Sequence, residues 1–226
     1  MKWNVPQIWP DADCWVIGGG PSMARQFDVP ERIVAKVMSG ELTPDHLSEY
    51  MQCLHDKHVV GVNNAYMIGD WIDVDFFGDS AWYLVHRKRL AEWPGLKVSC
   101  APREGAFAKD KIKYVEKDKK HRQGISSNRQ AVSWNSNSGA AAINLAVHFG
   151  AKRIFLLGFD MQLDDNKVSH WHGGHGSNRK PPGFSRHLRG FPCIAEDAKA
   201  MGIEILNASP GSSIIDFPII NAKDLL

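Results

Sequence analysis

Ten residues, Asp13-Cys14-Trp15-Val16-Ile17-Gly18-Gly19-Gly20-Pro21-Ser22, constrain this chain more than any others. An apolar run that stops at three glycines and restarts at Pro-Ser reads as a buried strand turning sharply into the N-terminus of a helix. Glycine lets backbone N–H groups approach a ligand closely, and proline suits a first helical turn. The helix dipole and its unpaired amides then favour an anion, typically a phosphate. The plain alternative is a tight strand-to-helix turn with no ligand. The expectation is a nucleotide or phosphorylated ligand at Gly18, Gly19, Gly20, Pro21 and Ser22.

Two common nucleotide motifs are disfavoured. A dinucleotide fingerprint needs a glycine where Met23 stands, and an acidic residue ending a second strand roughly 20 residues on. A P-loop needs Gly-Lys-Ser/Thr after four intervening residues, and the sequence has none. At 226 residues the chain fits one domain, and a formal charge of +2 gives no bulk argument for nucleic acid or an anionic membrane. Cys14, Cys53, Cys100 and Cys193 form no CxxC pair and read as reduced thiols in a cytoplasmic protein. The N-terminus lacks an apolar leader, and no run approaches membrane-spanning length.

The rest of the chain repeats one pattern. Short apolar runs at about 13–18, 58–62, 74–77, 96–100, 153–160 and 203–206 end in small or polar residues, and most lead into helical patterns. That alternation predicts an open parallel α/β sheet flanked by helices. Helices are expected from Pro21, over Pro30 to Gly40, over Thr43 to His55, over 81–91, up to Phe149 and near 194–201. The pair within 30–57 reads as a helical insertion. Residues 103–133 are Lys/Arg-rich with acids interspersed, which predicts a solvated excursion or edge hairpin. They lack the aromatic interleaving of a nucleic-acid surface. Residues 161–190 are polar, rich in Gly, Pro and His, and too long for a plain connector, so a lid or binding loop is expected. Asp73 and Asp75 alternate along a strand; one is expected to cap or to pair with a nearby Lys or Arg.

Ligands of open parallel sheets sit beyond the carboxyl ends of the strands. The residues following these strands are therefore expected to share one crevice: Gly18 to Ser22, Asn63, Asn64, Asp79, Ser80, Asn137, Ser138, Gly139 and Asp160.

The order of these motifs resembles the bacterial sialyltransferases built on a single Rossmann-like domain with a small lid. The resemblance is carried by Ile17 to Ser22, Val62-Asn63-Asn64, Phe77-Gly78-Asp79, Asn137-Ser138-Gly139 and Lys152 to Asp160, followed by a later histidine. The same order is similar to the 6-hydroxymethylpterin diphosphokinase-like proteins. The first resemblance implies a nucleotide-activated sugar donor and a hydroxyl acceptor. Gly18, Gly19, Gly20, Ser22 and Asn63 or Asn64 would hold the nucleotide, and Ser138 and Gly139 would face the donor sugar. A histidine past the Gly-x-Asp strand would be the general base, His175 by position, with His172 beside it. That family stabilises its leaving phosphate with tyrosines in this region. Met161 to Gly176 contains none, and Lys167, Arg179, Lys180, Arg186 or Arg189 would supply the charge. The second resemblance implies ATP, with magnesium held by Asp79 or Asp160; otherwise no cofactor is expected. A module that binds a nucleotide without turnover is the non-enzyme alternative, and a homo-oligomer fits either family.

Ser169-His170-Trp171-His172-Gly173-Gly174-His175-Gly176 sustains three readings. A histidine of near-neutral pKa can take a hydroxyl proton. His-x-His on an extended segment points both rings to one side and could bind a metal, with Asp160, Asp164 and Asp165 near in sequence. Otherwise the histidines serve turns and surface contacts. The tryptophans at 3, 9, 15, 71, 82, 93 and 134 read as packing anchors rather than a stacking platform.

Overall fold

The structure is a computed structural model and describes residues 3–102, 107–173 and 183–226. Its frame is a seven-stranded parallel sheet: β1 Asp13–Ile17, β2 His58–Val62, β3 Val74–Phe77, β4 Leu96–Ser99, β5 Lys113–Tyr114, β8 Arg153–Leu157 and β9 Glu204–Asn207, ordered β5-β4-β3-β2-β1-β8-β9. The chain is thus an open, Rossmann-like α/β fold. β1 pairs through Trp15 with Val59 of β2 and with Phe155 of β8. Strand order reverses at β1, so the gap between the ends of β1 and β8 is the topological switch point where such sheets bind ligands.

Helices cover both faces, which is why the strands read as continuous apolar runs. On one face Val16, Val60, Phe76 and Leu156 pack against α4 (Ser138–Phe149) and α6 (Phe191–Ala200). On the other, Trp15, Ile17, Phe77 and Leu157 meet α1 (Ser22–Gln26) and α3 (Ser80–Glu92). Gly139 and Ala140 to Ala142 put the small side of α4 against the sheet; a Cβ on Gly139 would lie 2.9 Å from the Phe159 ring. α5 (Phe184–Leu188) is a single short turn beside the ends of the strands. Among the described residues no helix is long and apolar enough to cross a membrane.

Three expectations need correction. Within 30–57, α2 (Glu31–Ser39) forms and ends at Gly40 with φ +80, but Pro44–Leu54 winds as 3-10 turns interrupted at Met51. Its fully buried Leu47, Met51 and Leu54 are fixed by packing rather than by helix propensity. The basic stretch after 103 is no hairpin. β5 adds a parallel strand to the main sheet, and β6 (Glu116–Lys117) pairs in parallel with β7 (Ala131–Val132) as a second, two-stranded sheet. Buried Phe107, Val115, Ile125 and Val132 anchor it. Asn144 of α4 holds it too: its Oδ1 accepts from the Ser126 and Ser133 amides at 2.9 and 2.8 Å. These contacts are long-range and leave no local pattern.

The third correction concerns Asp73 and Asp75: of the two expected roles only capping is found, and neither ion-pairs with a Lys or Arg among the described residues. Asp73 accepts the Val59 amide at 2.8 Å. Asp75 is fully buried in β3, and neither oxygen closes a well-formed hydrogen bond among the described residues. Burial pushes its carboxyl well above the usual carboxylate range, offset only in part by the Tyr66 amide. Above the ordinary aspartate pKa of about 3.9 the native state therefore holds a proton that the unfolded chain has lost. Stability contributed by Asp75 is present at low pH and falls as pH rises toward the native pKa, by up to about 1.4 kcal/mol per pH unit. Asp75→Asn removes the titration. Urea unfolding at about pH 5 and about pH 8 is expected to show the variant gaining on the parent chain as pH rises; parallel curves would contradict it.

Candidate ligand-binding crevice

The glycine turn is built by two backbones in close contact. Gly18 N–H donates to the Leu157 carbonyl at 2.7 Å and Gly20 N–H to the Gly158 carbonyl at 2.8 Å. A Cβ on Gly18 would lie 2.7 Å from the Gly158 oxygen, and one on Gly20 would lie 1.8 Å from Asp160 Oδ2. Gly158 itself sits at φ +68, a conformation that favours glycine. Gly18, Gly20 and Gly158 are therefore demanded by the seam between β1 and β8. Gly19 differs: its Cβ would meet only the His170 ring edge, at 3.3 Å. With Pro21 lacking an N–H, the Gly19 amide is the one donor of the turn without a hydrogen bond among the described residues.

The N-terminus of α1 already has an anion. Asp160, at the end of β8, accepts the Ser22 amide at 3.1 Å and the Ser22 hydroxyl at 2.8 Å. Burial raises the Asp160 carboxyl above its ordinary range, and the two Ser22 hydrogen bonds oppose that rise. α3 and α4 are capped from their own N-caps: Asp79 accepts the Ala81 amide at 2.7 Å, and Asn137 accepts those of Gly139 and Ala140 at 2.8 and 3.3 Å.

Around these ends opens a crevice of about 670 Å3, a size suited to a small-molecule ligand. Of the residues singled out in the sequence, Gly18, Gly19, Gly20, Asn63, Asp79, Asn137, Ser138, Gly139, Asp160, His172 and Arg186 line it. Pro21, Ser22, Asn64, Ser80 and Arg189 do not: Ser22 is turned to Asp160, and Asn64 is buried behind the wall. His175, Arg179 and Lys180 lie outside the described residues.

The crevice also holds residues that the motifs did not single out as its lining. Trp82 and Trp134, expected only as packing anchors, join Phe159 and Phe184 as aromatic walls, and His170 and His187 add polar groups beside Lys167, one of the expected cations. Burial, with the neighbouring Arg186 charge, holds His187 below the usual histidine range. Asn63, Ser136, Met161 and Lys167 all line it with positive φ, between +51 and +61. Left-handed backbone at non-glycine residues collects at functional sites, and composition alone gives no sign of it.

The histidine segment is pinned to the glycine turn by Trp171, absent from the packing anchors expected above. Its indole is fully buried; its Nε1–H donates to the Gly18 carbonyl at 2.9 Å and its amide to the Gly19 carbonyl at 3.0 Å. With Trp171 turned inward, His170 and His172 both reach the crevice, their rings edge to face at 5.2 Å. Asp164 is taken by Arg25 at 2.7 Å. Among the described residues no three His, Cys, Asp or Glu side chains gather into a metal-holding group.

The sequence matches no protein-family model and no curated protein. Among solved structures it is similar to the MAf glycosyltransferase of Magnetospirillum magneticum AMB-1, with a TM-score of 0.61 and 12% identity over 99% of this chain. This chain spans only 36% of that protein's length. Weaker likenesses are to two Campylobacter jejuni sialyltransferases. CstII, in a complex with cytidine-5'-monophosphate, gives a TM-score of 0.48 at 15% identity, covering 94% of this chain and 86% of that one. Cst-I gives 0.46 at 12%, covering 93% and 81%. The structural neighbours are thus glycosyltransferases, and the likeness to the first is one of fold.

The two kinds of glycine predict different tolerances. Gly20→Ala forces a Cβ against Asp160 and the Gly158 carbonyl and is expected to cost about 2 kcal/mol or more. Gly19→Ala is expected to stay within about 1 kcal/mol of the parent chain. Denaturant unfolding of both variants checks the order; equal losses would contradict the assignment.

Proposed function

We propose that this chain is a nucleotide-dependent transferase of the glycosyltransferase kind, binding a nucleotide-activated sugar in the crevice at the β1/β8 switch point. The observation that carries the reading is the convergence of a glycine amide with no hydrogen bond among the described residues, Asn63 and Asn137, two helix N-termini and a histidine segment on one aromatic-walled space. The fold shared with a glycosyltransferase supports it.

In this reading the Gly19 amide and Asn63 hold the nucleotide, while Ser138 and Gly139 face the sugar. Asp79 and Asp160 bring negative charge to the lining, so the phosphates would lie by its cations, Lys167 and Arg186. Those cations stabilise charge developing on the leaving phosphate. A histidine of the 161–190 segment deprotonates the acceptor hydroxyl, which displaces the nucleotide directly. His175 is the base that the motif order suggests. Both oxygens of Asp160 accept from Ser22, which leaves Asp79, with one oxygen on the Ala81 amide, as the freer of the two carboxylates that diphosphoryl transfer from ATP would use for magnesium.

A thermal-shift panel of CMP, CMP-sialate, UDP- and GDP-sugars, ATP and GTP, each with and without magnesium, tests this. A ligand at 100 times its dissociation constant adds about 2.7 kcal/mol of stability. The expected result is a magnesium-independent shift with one nucleotide or nucleotide sugar, lost in Gly19→Val. A shift with ATP and magnesium alone would favour the diphosphokinase reading, and no shift at all would overturn both. Arg186→Ala is expected to lower transfer activity by at least about tenfold while leaving the melting temperature unchanged, as removal of a charge-stabilising donor does.

A further inference from the structure

We propose that Trp82 and Asn64 fix the tautomer of His172 with its proton on Nε2, making this histidine a hydrogen-bond donor to the bound nucleotide rather than the base that accepts the acceptor's proton. A one-way chain of donors leads to the ring. An indole N–H can only donate, and Trp82 Nε1 lies 2.6 Å from an oxygen of the Asn64 amide, Oδ1. That fixes the amide's orientation and aims its NH2 at His172. Asn64 Nδ2 stands 3.4 Å from His172 Nδ1. An NH2 group only donates, so Nδ1 must offer its lone pair, and the proton of the neutral ring belongs on Nε2.

The relay is held rigidly. Asn64 and Trp82 are buried, and the Trp82 ring is sandwiched in an aromatic cluster, stacked on His86 at 4.4 Å and against Phe77 at 4.9 Å. Trp171 packs edge to face on His172 at 4.7 Å, so the same residue that docks the segment on the glycine turn also restrains the ring. Asn64 and Trp82 are positioning residues that act through His172. The relay stands on its own geometry; only the nature of the group receiving the Nε2 proton rests on the proposed nucleotide site. A phosphate oxygen, which only accepts, is the partner such a donor suits. Proton abstraction then falls to another histidine of the segment.

Side-chain nitrogen NMR of the full chain, recorded where the ring is neutral, tests this directly. The expected spectrum shows His172 with Nε2 protonated and Nδ1 bare. Asn64→Asp replaces the NH2 donor with a carboxylate oxygen, which accepts only, so Nδ1 is expected to gain a proton. Trp82→Phe keeps the ring, frees the amide to rotate and is expected to give a mixture of tautomers; it serves if Asn64→Asp does not fold. A parent spectrum with Nδ1 protonated, or folded variants with an unchanged tautomer, would overturn the relay. Added CMP is expected to move the His172 Nε2–H resonance downfield. If CMP raises the melting temperature and leaves that resonance unmoved, the donor role is overturned while the nucleotide reading survives. If CMP and every other nucleotide of the panel fail to bind, the nucleotide reading falls and the donor role with it.

Discussion

Everything at the crevice depends on how closely β1 and β8 run together past their last paired residues. Three glycines without side chains let the Gly18 and Gly20 amides reach the Leu157 and Gly158 carbonyls, and Asp160 then closes the seam on Ser22. This contact leads the chain into α1 and leaves the Gly19 amide without a hydrogen bond among the described residues. It also makes the dock for Trp171, whose two hydrogen bonds go to the carbonyls of Gly18 and Gly19. The histidine segment and the switch point are thus one structural unit, joined by an indole.

The charge layout follows from the same geometry. A helix N-terminus attracts an anion, and here Asp79 and Asn137 already serve the two that border the crevice, while Asp160 serves α1 beside them. Two of those caps are acidic, so the strand ends do not offer a purely positive cradle. Positive charge in the lining comes from Lys167 and Arg186. A ligand with phosphate at one end and neutral polar groups at the other fits this polarity. The sugar hydroxyls would meet the acidic and amide side, and the phosphates the basic one.

Much of the frame was legible because parallel strands buried on both faces announce themselves as short apolar runs with polar ends. The polar residues after those runs, from Gly18 to Asp160, fall on one crevice because topology alone sends them there. What was not legible is what tertiary contact decides. The three glycines look alike in sequence, yet Gly18 and Gly20 serve the strand seam and only Gly19 offers an amide. Ser22 suggests a phosphate ligand, but a carboxylate 138 positions later takes both its donors. Asn64 looks equivalent to Asn63, yet one lines the crevice and the other is buried behind it holding His172. Trp171 could have been noticed from its place inside His-x-His, since alternation along an extended segment sends the middle residue inward when its neighbours face outward. The parallel pairing of Glu116–Lys117 with Ala131–Val132 left no local signal, because tertiary contacts, buried Asn144 of α4 among them, help to hold it.

The central claim is that the space beyond β1 and β8 is the ligand site, and amide chemical-shift mapping with CMP and the nucleotide sugars tests it most directly. The account predicts that the ligand which binds moves Gly19 most, with Asn63, Gly139 and His170 following. Shifts confined instead to the opening lined by Tyr66, Trp71 and Trp93, or saturating binding that leaves the Gly19 amide in place, would contradict it.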